Sequence, residues 1–184
     1  SSKPAFLSNT YITPTSRGNA IHKFLYFVNF VEASQNLDAA IDSLKNRGLL
    51  STEEINLLNK GAISKFINSP LCQRIMKSPK VLREYRFSVN LPIKETPLYD
   101  KSKHKTCSEN LVLVQGAMDC VFLENNEYVI IDYKTDKTDD ISKLYQKYSN
   151  QLQIYKSALS KIHDLKVKET GIYSFKLSEY YPEP

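Results

Sequence analysis

Two stretches rich in β-forming residues, 111–124 and 127–135, meet at Asn125-Asn126. Asparagine tolerates the positive φ that a two-residue hairpin turn demands, so the pair predicts a hairpin. Closing it there fixes one register, in which Glu124 faces Glu127 and Asp119 lies across from Asp132. Opposed side chains in an antiparallel pair have Cβ atoms roughly 4.5–5.5 Å apart. Two carboxylates so placed, flanked by Met118, Val121, Ile130 and Ile131, repel each other and resist burial. They are tolerated when they share a proton or hold a cation, and oxygen-only ligation favours a hard divalent ion such as Mg2+. Lys134 is two residues beyond Asp132 and projects from the same face. Tyr133 projects from the other, although its backbone carbonyl can still turn toward a metal. The competing reading is a surface ion-pair cluster on a solvent-facing sheet edge, and a one-residue slip would carry Asp119 to the opposite face.

The rest of the chain divides by character. The first part reads as helical: 16–30 carries Ile21, Leu25 and Val28 at helical spacing, and 37–47 carries Leu37, Ile41 and Leu44, with Gly48 as a stop. Ser51 and Glu54 match a capping box, and the helix it opens is expected to run through Ile55, Leu58, Ile63 and Phe66 until Ser69-Pro70 ends it. A short helix at 71–77 follows. Beyond it, 81–91 alternates as a strand and 92–110 forms a long basic loop. A strong amphipathic helix spans 140–162, with Leu144, Tyr148, Tyr155 and Leu159 recurring; 167–177 reads as a last strand, and the closing Glu-Pro tail is expected to fray. Helices, then a hairpin, a helix and a strand argue for α+β or α/β layering within 184 residues. The expectation is a single domain, mainly helical over 1–79, with the hairpin, helix and final strand in 80–184.

Composition excludes several classes. The three cysteines, Cys72, Cys107 and Cys120, include no CxxC, so neither a zinc ribbon nor a disulfide framework is supported and reduced thiols are expected. No glycine falls in a GxxxxGK[ST] or GxGxxG string, so an ATP site is not expected in this segment. No apolar run reaches membrane-spanning length and no signal peptide is visible, which points to a cytoplasmic protein. A net charge of +5 is compatible with a polyanionic partner without demonstrating one.

The ordered strings Gly116-x-x-Asp119, Asp132-Tyr-Lys-Thr-Asp136 and Gln151-x-x-x-Tyr155 resemble the PD-(D/E)XK nuclease superfamily. More narrowly they resemble its RecB family, and within that the C-terminal nuclease domain of AddA-type helicase–nucleases. Gly18-x-x-x-His22 is similar to the family's upstream helix, and Glu84 to its acidic strand position.

The resemblance implies a restriction-endonuclease-like core: a central mixed sheet flanked by helices, behind an N-terminal helical region. It implies a Mg2+-dependent deoxyribonuclease (Mn2+ as the substitute ion), an exonuclease more than an endonuclease, acting in double-strand break repair and recombination. The metal ligands it implies are His22, Asp119, Asp132 and the Tyr133 carbonyl, with Glu84 in support. Lys134 would orient or deprotonate the attacking water, and Gln151 and Tyr155, one helical turn apart, would brace the site or touch DNA. Partners would be single-stranded DNA ends, the helicase part of a parent chain and an AddB-like subunit. The four-cysteine iron–sulfur pattern of some relatives is missing. Lys101, Lys103, Lys105, Lys137 and Lys147 are candidates for backbone contacts, with ordinary solubility as the alternative. A non-catalytic DNA-binding or docking module that kept the fold is the alternative to the enzyme.

Overall fold

In the computed structural model, residues 14–97, 99 and 110–183 are described. The chain divides into two compact units, Ser1–Cys72 and Gln73–Pro184, so the boundary falls inside one helix.

The first unit is helical, and its side-chain caps set the lengths of its helices. The segment expected as one helix over 16–30 is two, α1 (Pro14–Phe27) and α2 (Phe30–Gln35). Asn29 lies between them in an extended conformation and accepts from the Val31 and Glu32 amides, which starts a new helix instead of prolonging the old one. Asn36 does the same for α3 (Leu37–Asn46) through the Ala39 amide. The capping box is present as expected: Ser51 accepts from the Glu54 amide and Glu54 from the Ser51 amide. Its helix, α4 (Thr52–Leu57), is nevertheless short. Leu58 is extended, and Asn59 accepts from the Ala62 amide to open α5 (Lys60–Ile67). The apolar spacing that suggested one continuous helix is preserved across the break, with Ile63 and Phe66 fully buried. α6 follows over Pro70–Lys77.

The second unit is a five-stranded mixed sheet in the order β1-β2-β3-β4-β5. β1 (Val81–Pro92), β2 (Leu111–Glu124) and β3 (Glu127–Lys134) pair antiparallel; β3 and β4 (Val167–Ser174) pair parallel; β5 (Glu179–Glu183) returns antiparallel on β4. Parallel neighbours need a long crossover, and α7 (Ile141–His163) supplies it. α7 starts where Asp140 accepts from the Ser142 and Lys143 amides, and stops at Asp164 in the left-handed region. The strand expected over 167–177 ends earlier, at Ser174. Residues 179–183, to which the sequence reading assigns no element, form β5, where Pro182 is tolerated because β5 is the outermost strand of this sheet. A 3-10 turn at Ile93–Glu95 follows β1, and most of the basic loop lies outside the described residues.

The core of this unit lies between the sheet and α7. Met118, Val121, Ile130 and Ile172 from the strands pack with Leu144, Leu152, Tyr155, Ala158 and Leu159 from the helix. Among the described residues no helix is long and apolar enough to cross a membrane.

Candidate active site

The hairpin turn has the expected chemistry, with Asn125 at φ 53° and Asn126 at φ 62°. Glu124 pairs with Glu127, and the ladder runs in register to Cys120 and Ile131. It ends there, one residue before the two aspartates. Asp119 does not continue it: its carboxylate Oδ2 accepts from the Tyr133 backbone amide at 2.7 Å, so a side chain takes the place of the next strand-to-strand bond.

On its other flank β2 meets β1. Arg83 pairs with Cys120 and Tyr85 with Met118, which leaves Glu84 facing Asp119 with neither in a ladder pair. Glu84 has φ 48°, the left-handed region that a residue with a Cβ occupies only at a cost. The rung has a further property. Leu82 and Tyr85 both pack into the α7 core, as do Met118 and Val121. Strand residues three apart belong on opposite faces, so both strands roll over at this rung while their register stays unchanged. The roll sets the two acids side by side, and a carboxylate oxygen of Glu84 lies within 4.8 Å of one of Asp119. The sequence offered a supporting role for Glu84 by resemblance; its backbone conformation carries no sequence signal.

Asp132 and Lys134 occupy the end of β3 on the α7 side. Asp132 is 3 % exposed. Burial pushes its carboxyl up to about 7, and the neighbouring charge of Asp119 adds to the rise, opposed by Lys134. Lys134 Nζ lies 2.7 Å from Asp132 Oδ2. The contact is an ion pair, and its angles leave that buried oxygen without a hydrogen bond.

The α7 residues reach back to both strands. Gln151 Nε2 donates to the Tyr155 hydroxyl at 2.6 Å, and that hydroxyl donates to the Ala117 carbonyl at 2.8 Å. Lys134 Nζ reaches Gln151 Oε1 at 3.4 Å. The Gln-x-x-x-Tyr pair therefore ties β2, two residues from Asp119, to the ammonium on β3. Burial, then the charge of Asp132, raises the Tyr155 hydroxyl to about 12, so it stays a neutral donor. Gly116 makes this possible: a Cβ there would stand 3.0 Å from the Phe87 ring, which packs edge-on against Tyr155 with centroids 5.7 Å apart.

Sequence reasoning missed Tyr148 as part of the site. Its ring faces Lys134 Nζ at 3.8 Å from the centroid, and its hydroxyl donates to Asp136 at 2.9 Å. Lys147 donates to the same carboxylate at 2.6 Å. Burial works against the Asp136 charge, but the hydrogen bonds from Lys147 and Tyr148 hold its carboxyl below its ordinary range. The clue was available, since Tyr148, Gln151 and Tyr155 share one face of α7. Lys137 and Lys143 are exposed; Lys101, Lys103 and Lys105 lie outside the described residues. His22 lies in α1 of the first unit.

The donor set fits a divalent cation. Glu84 and Asp119 offer oxygens close together, and Asp132 keeps a buried oxygen without a hydrogen bond. Hard oxygen donors of this kind suit Mg2+, Ca2+ or Mn2+.

A rolled β-strand pair that delivers acids to the end of a D-x-K strand, with a crossover helix bracing the lysine, agrees with the likeness read from the motifs. The chain matches the PD-(D/E)XK nuclease superfamily over residues 4–182 and belongs to it. It is 34% identical over 94% of its length to the A-type subunit of the ATP-dependent helicase/nuclease of Clostridium acetobutylicum. The equivalent subunits from Clostridium kluyveri and Clostridium botulinum are 35% identical over 94% and 30% identical over 97% of the chain. The chain spans about 14% of the length of each of these relatives.

Proposed function

We propose that the chain is a divalent-metal-dependent deoxyribonuclease, hydrolysing phosphodiester bonds at the centre formed by Glu84, Asp119, Asp132 and Lys134. The observation that carries this reading is the rolled rung at Glu84 and Asp119. A left-handed glutamate facing an aspartate is a strained arrangement, and such strain persists at sites where it serves function. A divalent ion held by these carboxylates supplies Lewis-acid activation of the scissile phosphate and of the attacking water. The resemblance adds His22 and the Tyr133 carbonyl as further ligands.

The protein's own groups account for the rest. Asp119 is held by the Tyr133 amide, so its carboxylate has a fixed direction. Lys134 holds a positive charge beside Asp132, where it orients the nucleophile and offsets charge that develops on the phosphate. Gln151 and Tyr155 keep that ammonium in place. Lys137 and Lys143 are exposed, Lys143 at 3.9 Å from Asp140, and suit a phosphate backbone, whereas Lys147 is committed to Asp136.

The helicase/nuclease name of the relatives supports the wider setting we propose: an exonuclease acting on single-stranded DNA ends in break repair and recombination, joined to a helicase in one cytoplasmic parent chain and paired with an AddB-like subunit. Mg2+ is the proposed ion, with Mn2+ as substitute.

The test is cleavage of end-labelled linear DNA, single- and double-stranded, by wild type and Lys134→Ala in Mg2+, in Mn2+ and in EDTA. The expected result is cleavage by wild type in metal alone and a loss of at least a hundredfold in the variant, of the size that removal of one transition-state contact produces. Cleavage in EDTA, or a fully active Lys134→Ala, would refute the proposal. Salt-sensitive DNA binding without turnover in any metal would instead favour a docking module.

A further inference from the structure

The nuclease motifs account for Lys134, Gln151 and Tyr155 but give no part to the aromatic ring that covers the lysine. Among the described residues Lys134 Nζ meets three partners: the Asp132 carboxylate at 2.7 Å, the Gln151 amide oxygen at 3.4 Å and the centre of the Tyr148 ring at 3.8 Å. The lysine side chain is 15% exposed, so the ring acts where water is scarce and a cation over an aromatic face is most strongly held. The carboxylate and the amide oxygen are both hydrogen-bond acceptors. Of the three contacts, that to Gln151 is a hydrogen bond, that to Asp132 is an ion pair, and the ring holds the ammonium through its face.

The ring is itself held. Its hydroxyl donates to Asp136, which also accepts from Lys147 at 2.6 Å. Lys147 Nζ stands 4.8 Å from the same ring centroid. A second cation there would compete with Lys134 for the ring's electron density, and Asp136 offsets its charge. The final aspartate of Asp132-Tyr-Lys-Thr-Asp136 thus clamps the tyrosine that seats the lysine two residues before it.

We infer that Tyr148 is a positioning residue of the nuclease centre, whose ring face holds the Lys134 ammonium against Asp132 while Asp136 and Lys147 lock the ring. This deepens the nuclease reading above and rests on it for its catalytic consequence. Active groups must be held within a fraction of an ångström to be effective, and a lysine with four rotatable bonds needs more than one anchor. The arrangement separates two contributions of Tyr148. The ring carries the seat, and the hydroxyl only sharpens it.

The experiment uses the full chain with 13C-labelled lysine, examined without metal by NMR and then assayed for DNA cleavage. A proton over a ring face is shifted upfield, so the Lys134 side-chain ε-protons should stand apart from the other lysines, identified by their disappearance in Lys134→Arg. That shifted set is expected in wild type and in Tyr148→Phe, and absent in Tyr148→Leu. On saturating DNA and metal, Tyr148→Leu should lose about tenfold in kcat, equivalent to roughly 1.4 kcal/mol, at unchanged KM. Tyr148→Phe should lose no more than about threefold, a difference of under roughly 1 kcal/mol. If Tyr148→Leu does not fold, Tyr148→Met takes its place. A wild type with no shifted lysine set overturns the seat. So does a Tyr148→Phe as impaired as Tyr148→Leu, or a Tyr148→Leu with wild-type kcat. A wild type that shows the shifted set but cleaves no DNA under any metal condition overturns the nuclease reading, and with it the catalytic role, while leaving the seat standing.

Discussion

Glu84 and Asp119 face each other across β1 and β2 at the rung where both strands roll, and Glu84 takes a left-handed backbone to do so. The conformation costs an L-residue roughly 1–2 kcal/mol. That cost falls at the place where a cation would be held.

Replacing Glu84 separates the backbone cost from the carboxylate. Glu84→Gly relieves the left-handed strain, whereas Glu84→Ala keeps it. Both variants should lose tenfold or more in divalent-ion affinity by calorimetry, with roughly 1.4 kcal/mol per tenfold. In denaturant unfolding the glycine variant should be the more stable of the two by about 1 kcal/mol. Equal stabilities would mean the φ at Glu84 is not strained.

Asp119→Asn keeps an acceptor for the Tyr133 amide and removes one negative charge beside Asp132. In EDTA the variant should melt no lower than wild type, because a like-charge contact is gone. Divalent ion at a hundredfold over its dissociation constant should stabilise wild type by about 2.7 kcal/mol and leave the variant unmoved. Thermal melts with and without the ion decide it; the same metal-induced shift in both proteins would remove Asp119 from the ligand set.

Arg74 holds Glu124 through paired hydrogen bonds of 2.9 Å and also reaches Glu169 at 2.8 Å. The hydrogen bonds from Arg74 bring Glu124 from its ordinary 4.5 down to about 2, against the effect of burial. A carboxylate with a lowered folded-state pKa contributes stability above its unfolded value and loses it as pH falls through the folded one. That contribution should fade between about pH 4.5 and 2. Arg74→Met should destabilise the protein by about 1–3 kcal/mol at pH 7, and the gap to wild type should shrink across that window. A gap constant down to pH 2 would deny the clamp its charge-dependent part.

Gly171 lies under the Tyr180 ring, and a Cβ there would come within 2.5 Å of two of its atoms. The Tyr180 hydroxyl donates to Glu169 at 2.6 Å, so the ring has little freedom to retreat. Gly171→Ala should cost about 1–3 kcal/mol as overpacking and should raise hydrogen exchange in β5 before the other strands. Unchanged protection of β5 would show that the ring moves aside freely.

The parts of this protein that were legible in its sequence are those fixed by local chemistry. Asn125-Asn126 announced the hairpin because asparagine tolerates positive φ, and the register from Glu124 and Glu127 follows from it as far as Cys120 and Ile131. Ser51 with Glu54 announced a helix start. The breaks at Asn29 and Asn59 were not read, because the apolar spacing runs straight through them; a side chain bonding two or three residues ahead decides them instead. β5 was missed because a short strand carrying Pro182 lacks a strand's pattern until β4 offers it an edge. The likeness to known nucleases named Glu84, but its backbone and the roll at its rung depend on both strands at once. Tyr148 read as a core aromatic, since a ring facing a lysine and a ring facing leucines have the same helical spacing.

The β2–β3 ladder stops at Cys120 and Ile131, while β2 continues with β1 and β3 continues with β4. Beyond that point the sheet forks. Glu84 and Asp119 ride on one tine, Asp132 and Lys134 on the other, and the Tyr133 amide with the Gln151–Tyr155 link are the crosspieces. The gap an ion would span is therefore governed by how far the tines splay, so substitutions well along the outer ribbon can retune the centre without touching any of its ligands.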